Sequence, residues 1–175
     1  IVGKSTEKSK NYDSIVFSAR DIEIAKIPNY IKIIEAYAFN KCVKLNDVQI
    51  TIDSKLQVIE KYAFQETSIE IFSIPPCLEI ISKMSFSNCS NLRCIDILTS
   101  SKLKRIEKLA FYNSSIEQLT IPPSLVDLEN GWCNRTDKLL KIDVMPNNSR
   151  YIKFDDKIII GKSSVEQQNY DTLVF

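Results

Sequence analysis

The sequence predicts a solenoid of stacked coils built on a parallel sheet, and three observations lead there. First, the pattern apolar-x-x-apolar-x-apolar recurs at Ile22/Ala25/Ile27, Leu45/Val48/Ile50, Ile69/Phe72/Ile74, Leu92/Ile95/Ile97, Ile116/Leu119/Ile121 and Leu139/Ile142/Val144, with starts 23, 24, 23, 24 and 23 residues apart. Second, each block carries further apolar residues at a fixed phase. These are Ile31, Leu56, Leu78, Leu103 and Leu125, then Ile34, Ile59, Ile81, Ile106 and Leu128, then Phe39, Phe64, Phe86 and Phe111 with Cys133 in the last block. Third, long and short blocks alternate, so that the larger unit is a pair of 47 residues. Self-similarity at this length marks an array whose units bury their apolar sides only against their neighbours. Function is then sought on a repeated surface and not in a single cleft.

Each element follows from the repeat. The last two apolar positions of the first motif alternate with polar residues, the period-2 signature of a strand with one buried face. Three of the six motifs run into proline, at Ile27-Pro28, Ile74-Pro75-Pro76 and Ile121-Pro122-Pro123. Proline has no N–H to give a ladder and ends a strand there. Strands one block apart then stack in parallel at about 4.8 Å. Segments 33–39, 58–64, 80–86 and 105–111 are expected as short α or 3₁₀ turns on the outer side, too short to be stable alone. Only 3 glycines are present, so Asn and Asp are expected at many positive-φ turns.

The ends repeat one another. Ile1-Val2-Gly3-Lys4-Ser5 leading to Asn11-Tyr12-Asp13-Ser14-Ile15-Val16-Phe17 returns 158 residues later as Ile159-Ile160-Gly161-Lys162-Ser163 leading to Asn169-Tyr170-Asp171-Thr172-Leu173-Val174-Phe175. The chain therefore reads as part of a longer array. One solenoid unit is expected over 1–175, with a partial hairpin insert over 1–21, repeats over 22–145 and a second hairpin-like insert over 146–175. In that second insert, Ile152–Ile160 and Thr172–Phe175 are the expected strands, with Gly161-Lys162-Ser163-Ser164 turning between them.

The stretch from Ile27 to Ile50, read as Ile-Pro-x-x-Ile-x-x-Ile-x-x-x-Ala-Phe-x-x-Cys-x-x-Leu-x-x-Val-x-Ile, resembles the BspA-like class of leucine-rich repeats. The resemblance covers roughly residues 22–145. It implies a leucine-rich repeat solenoid, a curved right-handed coil with its parallel sheet on the concave face. It implies short helical turns or irregular structure on the convex side, and hairpin-like inserts at both ends. It also implies a non-catalytic surface-binding module of the kind carried by bacterial and protist cell-surface proteins implicated in adhesion. The last block departs from the pattern, with Asn130-Gly131-Trp132-Cys133 replacing the Ala-Phe step. Either Trp132 or Cys133 fills the rung, or the break is functional.

Composition narrows the function further. Lys plus Arg number 23 and Asp plus Glu 22, a net charge of +1. That balance argues against nucleic acid, which needs a concentrated basic face, and against simple attachment to anionic lipid. No apolar run approaches 18 residues, so no direct membrane insertion is expected. With no histidine, the usual neutral-pH general base and the Ser-His-Asp and Cys-His arrangements are missing. No phosphate-binding glycine loop or dinucleotide fingerprint is present, so no cofactor and no enzyme activity are expected. The five cysteines lack C-x-x-C spacing and no metal site is expected. Cys42 and Cys89 share one phase and read as buried free thiols. A Cys89–Cys94 or Cys42–Cys89 bridge would need a suitable Cα separation. Four N-x-S/T sequons, at Asn88, Asn113, Asn134 and Asn147, fit an exported protein.

Strand geometry names the candidate surface. Residues flanking the buried strand positions should form two outward columns, Ile24, Asp47, Ile71, Cys94, Gln118 and Lys141 beside Lys26, Gln49, Ser73, Asp96, Thr120 and Asp143. The expected partner is a protein or a glycan held across this concave face. The expected setting is the cell surface or a secreted protein, as part of a longer chain. The alternative is a cytoplasmic repeat scaffold. Exposed sheet edges at the ends of the array would permit self-association.

Overall fold

Neighbouring coils bond to one another on three sides, which is why the fold is a stack and not a globule. In the computed structural model the described residues are 1–155, 158–164, 166 and 168–173. Their strands are β1 (Val2–Gly3), β2 (Ser14–Ile15), β3 (Ile24–Ile27), β4 (Ile33–Ile34), β5 (Asp47–Ile50), β6 (Val58–Ile59), β7 (Ile71–Ser73), β8 (Ile80–Ile81), β9 (Cys94–Asp96), β10 (Arg105–Ile106), β11 (Gln118–Ile121), β12 (Asp127–Leu128), β13 (Lys141–Val144), β14 (Tyr151–Lys153), β15 (Ile159–Gly161) and β16 (Thr172–Leu173). No helix occurs among the described residues, and none is long and apolar enough to cross a membrane.

The first side is the expected ladder of longer strands. β3 pairs in parallel with β5, and β7, β9, β11 and β13 pair in parallel in succession. Pairing lapses between β5 and β7, where the Ser68 N–H and hydroxyl instead bond to the Leu45 and Val43 carbonyls. Burial alternates as the pattern demands: Ala25, Ile27, Phe72, Leu119 and Ile142 face in, Ile24, Lys26, Ile71 and Gln118 face out.

The second side corrects the expected helical turns. Segments 33–39, 58–64, 80–86 and 105–111 each begin as a two-residue strand, and these strands join a parallel ladder in the order β2-β4-β6-β8-β10-β12. A third side follows. The backbone N–H of Phe39 donates to the Ala63 carbonyl (2.8 Å), Phe64 to Ser85 (2.8 Å), Phe86 to Ala110 (2.9 Å) and Phe111 to Trp132 (3.0 Å). A helix needs each N–H turned along the chain to residue i−4. These donors are turned sideways into the next coil, so the segments stay irregular.

That sideways geometry is imposed on residues that do not favour it. Ten non-glycine residues have positive φ among those described: Tyr37, Lys41, Tyr62, Glu66, Met84, Asn88, Leu109, Asn113, Arg135 and Asn147. Only three are Asn and none is Asp, so the expectation that these two types would serve many such turns is met at Asn88, Asn113 and Asn147, while seven other residues take the same conformation. The bonds to the next coil over-determine the turn and hold bulky residues in a region that costs about 1–3 kcal/mol each. Lys41 and Glu66 occupy one such column with exposed or half-exposed side chains. Lys41→Gly is therefore expected to raise stability by about 0.5–1 kcal/mol in a urea melt, since glycine holds positive φ without a Cβ clash. A loss of stability would count against the strain.

The interior is a single spine. Ile31, Ile34, Leu56, Ile59, Leu78, Ile81, Leu103 and Ile106 are fully buried. The four phenylalanines stack, with centroids 5.0 Å apart for Phe39–Phe64, 5.2 Å for Phe64–Phe86 and 5.6 Å for Phe86–Phe111. Trp132 closes the stack edge-on at 6.2 Å from Phe111. It stands in the register of Ala38, Ala63 and Ala110, since its carbonyl takes the Phe111 N–H, and Cys133 beside it is half-buried. Cys42 and Cys89 are buried and unbridged, and the Cys89 thiol donates to the Phe64 carbonyl at 3.1 Å. Burial pushes the Cys89 thiol up to about 11.

The alternation of long and short blocks has a structural counterpart at the corner after each longer strand. Short coils turn through proline, with Ile31, Leu78 and Leu125 N–H groups bonding to the Pro28, Pro75 and Pro122 carbonyls. Long coils turn through a buried serine. Ser54 Oγ accepts from Leu56 N–H and Ser101 Oγ from Leu103 N–H, each at 3.2 Å. Two corner designs in strict alternation make the 47-residue pair the repeating object.

The ends are antiparallel. β1 pairs with β2, which opens the second ladder. Asp13 in this hairpin accepts the Ser5 N–H at 2.7 Å and lies 3.2 Å from the Lys32 ammonium. The Ser5 hydrogen bonds, with Lys32 adding to them, hold its carboxyl down at about 2. Near the other end, β14, β15 and β16 form a three-stranded antiparallel sheet. The expected single strand over 152–160 is thus itself a hairpin, turned at Phe154 and Asp155, and Gly161 pairs with Tyr151 and Thr172 before the turn begins. Residues 174–175 of the expected last strand lie outside the described residues.

Candidate functional site

The outward face of the longer-strand ladder places the expected columns in register. Ile24 lies opposite Asp47 and Lys26 opposite Gln49. Ile71 lies opposite Cys94 and Ser73 opposite Asp96. Gln118 bridges Cys94 and Lys141, and Thr120 lies opposite Asp143. The step from Asp47 to Ile71 crosses the lapse between β5 and β7 and has no paired register. Every one of the twelve side chains is exposed or half-exposed.

The face divides by chemistry. Its carboxylates are tied into local bonds. Asp47 accepts from Gln49 Nε2 at 2.8 Å, and Asp96 accepts from the Cys94 thiol at 3.1 Å and from Ser73 Oγ at 3.4 Å. Asp143 lies between the Lys141 and Lys153 ammoniums at 2.8 and 2.9 Å, which hold its carboxyl below the usual carboxylate range. Desolvation, with Asp96 adding to it, pushes the Cys94 thiol up to about 11, which keeps it out of the nucleophilic thiolate form.

The apolar groups on this face are free of core duty. Ile24 is 48 % exposed and Ile71 53 %. A shallow depression of about 540 Å³ opens beside Ile71, lined also by Arg93, Cys94, Glu117, Gln118, Leu140 and Lys141. Leu140 is 77 % exposed. Exposed apolar side chains set among charges are the composition of an interface core with a polar rim.

Two parts of the surface escaped the period-2 reasoning. A third column, Glu70, Arg93, Glu117 and Leu140, precedes the paired residues, and Arg93 is ion-paired with Glu70. A rim at the far strand ends carries Ile52, 73 % exposed, and Leu98, which line one shallow depression together with Pro75 and Pro76. Ile52 and Leu98 were visible in the sequence as apolar residues out of phase with every core position, inside the extra stretches of the two long blocks.

The geometry of two parallel ladders around a phenylalanine spine agrees with what comparison finds. A sequence profile of the BspA type leucine-rich repeat region, in six copies, matches residues 10–155. No curated protein matches the sequence. Among solved structures, the pneumococcal vaccine antigen PcpA superposes with a TM-score of 0.78 at 27 % identity, over 86 % of this chain and 40 % of that one. A leucine-rich cell surface protein from Faecalibacterium prausnitzii gives 0.60 at 20 % identity, over 81 % and 43 %, and a leucine-rich repeat protein from Eubacterium ventriosum gives 0.55 at 22 %, over 82 % and 37 %. The chain thus spans about two-fifths of the length of each. With a profile match across most of its length and the same coil in the structure, the chain belongs to the BspA-type leucine-rich repeat family.

Proposed function

We propose that this chain is a non-catalytic recognition module of a cell-surface protein, and that it binds a protein, or a glycan carried on one, across the outward face of its longer-strand ladder. The observation that carries the reading is the exposure of Ile71 and Leu140 around one shallow depression, with Ile24 exposed on the two-stranded ladder that precedes it. Nothing in the stacking of the coils requires them there. Such a face binds through a few apolar anchors ringed by polar contacts. Likeness to PcpA, a vaccine antigen, supports a surface setting. The lack of histidine and the upward push on the Cys89, Cys94 and Cys133 thiols support a role without catalysis.

The test is a binding assay against a panel of immobilised extracellular-matrix proteins. Ile71→Asp and Leu140→Asp, made singly, are expected to weaken a saturable interaction about tenfold or more while leaving the melting temperature within a degree or so, since each places a charge at an anchor without touching the spine. Binding unaffected by both changes would remove this face from the reading. The cytoplasmic scaffold remains the second reading. Glycan occupancy at Asn113, Asn134 and Asn147, all exposed, separates the two in protein from its native cell. Free thiols do not, because the cysteines are unbridged and two of them lie inside the spine.

A further inference from the structure

We propose that the cleft between the N-terminal hairpin and the second ladder is a binding site for a sulfated or carboxylated oligosaccharide. This site is separate from the strand face and does not depend on the reading above. The cleft is an open depression of about 1020 Å³. Four lysines line it, Lys8 and Lys10 from the hairpin tip and Lys32 and Lys55 from the coils beside it. In a chain of net charge +1, four ammoniums around one hollow are a local concentration that the composition does not suggest. Asp13, the carboxylate in the lining, accepts the Ser5 N–H and pairs with the Lys32 ammonium at 3.2 Å, so the net positive charge of the hollow is that of Lys8, Lys10 and Lys55. Lys8 and Lys10 make no ion pair among the described residues.

The chain contains its own comparison. The hairpin returns 158 residues later with its frame retained. Asp171 accepts the Ser163 N–H as Asp13 accepts that of Ser5, each at 2.7 Å. Lys162 lies over the Tyr170 ring as Lys4 lies over Tyr12. What changes is the tip, where Lys8 and Lys10 correspond to Glu166 and Gln168. The basic tip is therefore not part of what makes this hairpin fold. It is a feature of this one copy, and it faces the coil that supplies Lys32 and Lys55.

The other lining groups favour a sugar. Tyr12 and Tyr30 are among the most exposed aromatic residues of the chain, and both line the cleft. A flat phenol ring packs against the apolar face of a pyranose and offers its hydroxyl to the sugar's. Lysines act as mobile point charges for sulfate or carboxylate groups. A nucleic acid would ask for a basic face continuing along its backbone, whereas the lysines here are gathered round a single hollow with two tyrosines in its lining.

A fluorescently labelled heparin hexasaccharide tests the proposal by anisotropy titration of the intact chain. The wild type is expected to bind, more weakly as NaCl rises, and not to bind a neutral dextran of the same size. Lys8→Glu with Lys10→Gln, the tip of the second hairpin placed on the first, is expected to weaken binding about tenfold or more, and Tyr30→Ala to weaken it several-fold. Lys138→Gln, at the far end of the array, is expected to leave it unchanged. Circular dichroism melts of the variants should overlay the wild type, since every altered side chain is exposed or lies on the cleft rim. No binding by the wild type, equal binding by the double variant, or equal binding of a single-stranded oligonucleotide would each overturn the assignment.

Discussion

Phe64→Ala will cost about 3–5 kcal/mol of stability, the largest effect expected of any single truncation here. Phe64 is fully buried and touches three rings: Phe39 at 5.0 Å, Phe86 at 5.2 Å and Phe72 at 5.6 Å. Its neighbours in the stack are held by backbone bonds to the coils on either side, so they cannot slide in to fill the gap. The cavity term therefore adds to the lost transfer energy. For a chain of this length the melting temperature should fall by on the order of 10 °C. The site lies in the middle of a one-dimensional array, where stability is a sum of coil and interface terms. The unfolding transition of the variant should accordingly broaden as the two halves of the array uncouple. Tyr37→Ala is the contrast, since Tyr37 stacks on Tyr62 at a similar 5.0 Å but lies 47 % exposed outside the spine. It should cost about 1 kcal/mol or less. Equal losses from Phe64 and Tyr37 in urea melts would mean that the buried stack is not what joins the coils.

Asn148→Ala is expected to cost about 3 kcal/mol and to release the C-terminal hairpin. Asn148 is a buried side chain with all four of its main bonding positions used. Its Nδ2 donates to the Pro122 and Leu125 carbonyls at 2.7 and 2.9 Å, and its Oδ1 accepts from the Arg150 and Tyr151 N–H groups at 2.8 and 2.7 Å. It holds Tyr151 against the last coil, where the phenol accepts the Leu128 N–H at 2.9 Å and donates to the Val126 carbonyl at 3.3 Å. These are the backbone groups that a following coil would take up in the second ladder. One side chain thus finishes the edge of a sheet, and another fixes that side chain in place. Loss of Asn148 leaves several backbone groups seeking partners at about 1 kcal/mol each. Limited proteolysis should then cut first beyond residue 150, before the repeats are touched. A variant with wild-type stability and cleavage pattern would show that the terminal sheet is held by its own pairing alone.

The repeat was legible because it is written in burial. Ile34, Ile59, Ile81 and Ile106 recur at one phase since every coil faces the same spine, and the longer strands could be read from the alternation at Ile24 through Ile27. The outward columns followed from the same alternation and stand in the register expected, apart from the step between Asp47 and Ile71. In the sequence alone the second ladder reads as helical turns, because Ile31, Ile34 and Ala38 are spaced three and four apart, as on a helix face. Only the destination of the backbone N–H groups separates the two, and that lies in the next coil, about 24 residues away. Positive φ at Tyr37, Tyr62, Met84 and Leu109 left no trace for the same reason, since these residue types do not favour it and the neighbouring coil imposes it. Asn148 and Tyr151 belong to no repeated position, and their partners lie 23–26 residues back along the chain. The lysine cleft was hidden in a balanced net charge, because Lys8 and Lys10 meet Lys32 and Lys55 only when the hairpin folds onto the second ladder.

The central claim is that each coil is fastened to the next by backbone bonds turned across the chain, around one shared spine. Native-state amide hydrogen exchange at Phe39, Phe64, Phe86 and Phe111 tests it most directly. If the N–H of each donates into the following coil, all four should exchange only through opening of the array, with protection equal to that of Phe72 and Leu119 in the longer strands. Exchange at the rate of an exposed loop, while Phe72 and Leu119 stay protected, would contradict the claim and leave the coils bonded on two sides where this structure has three.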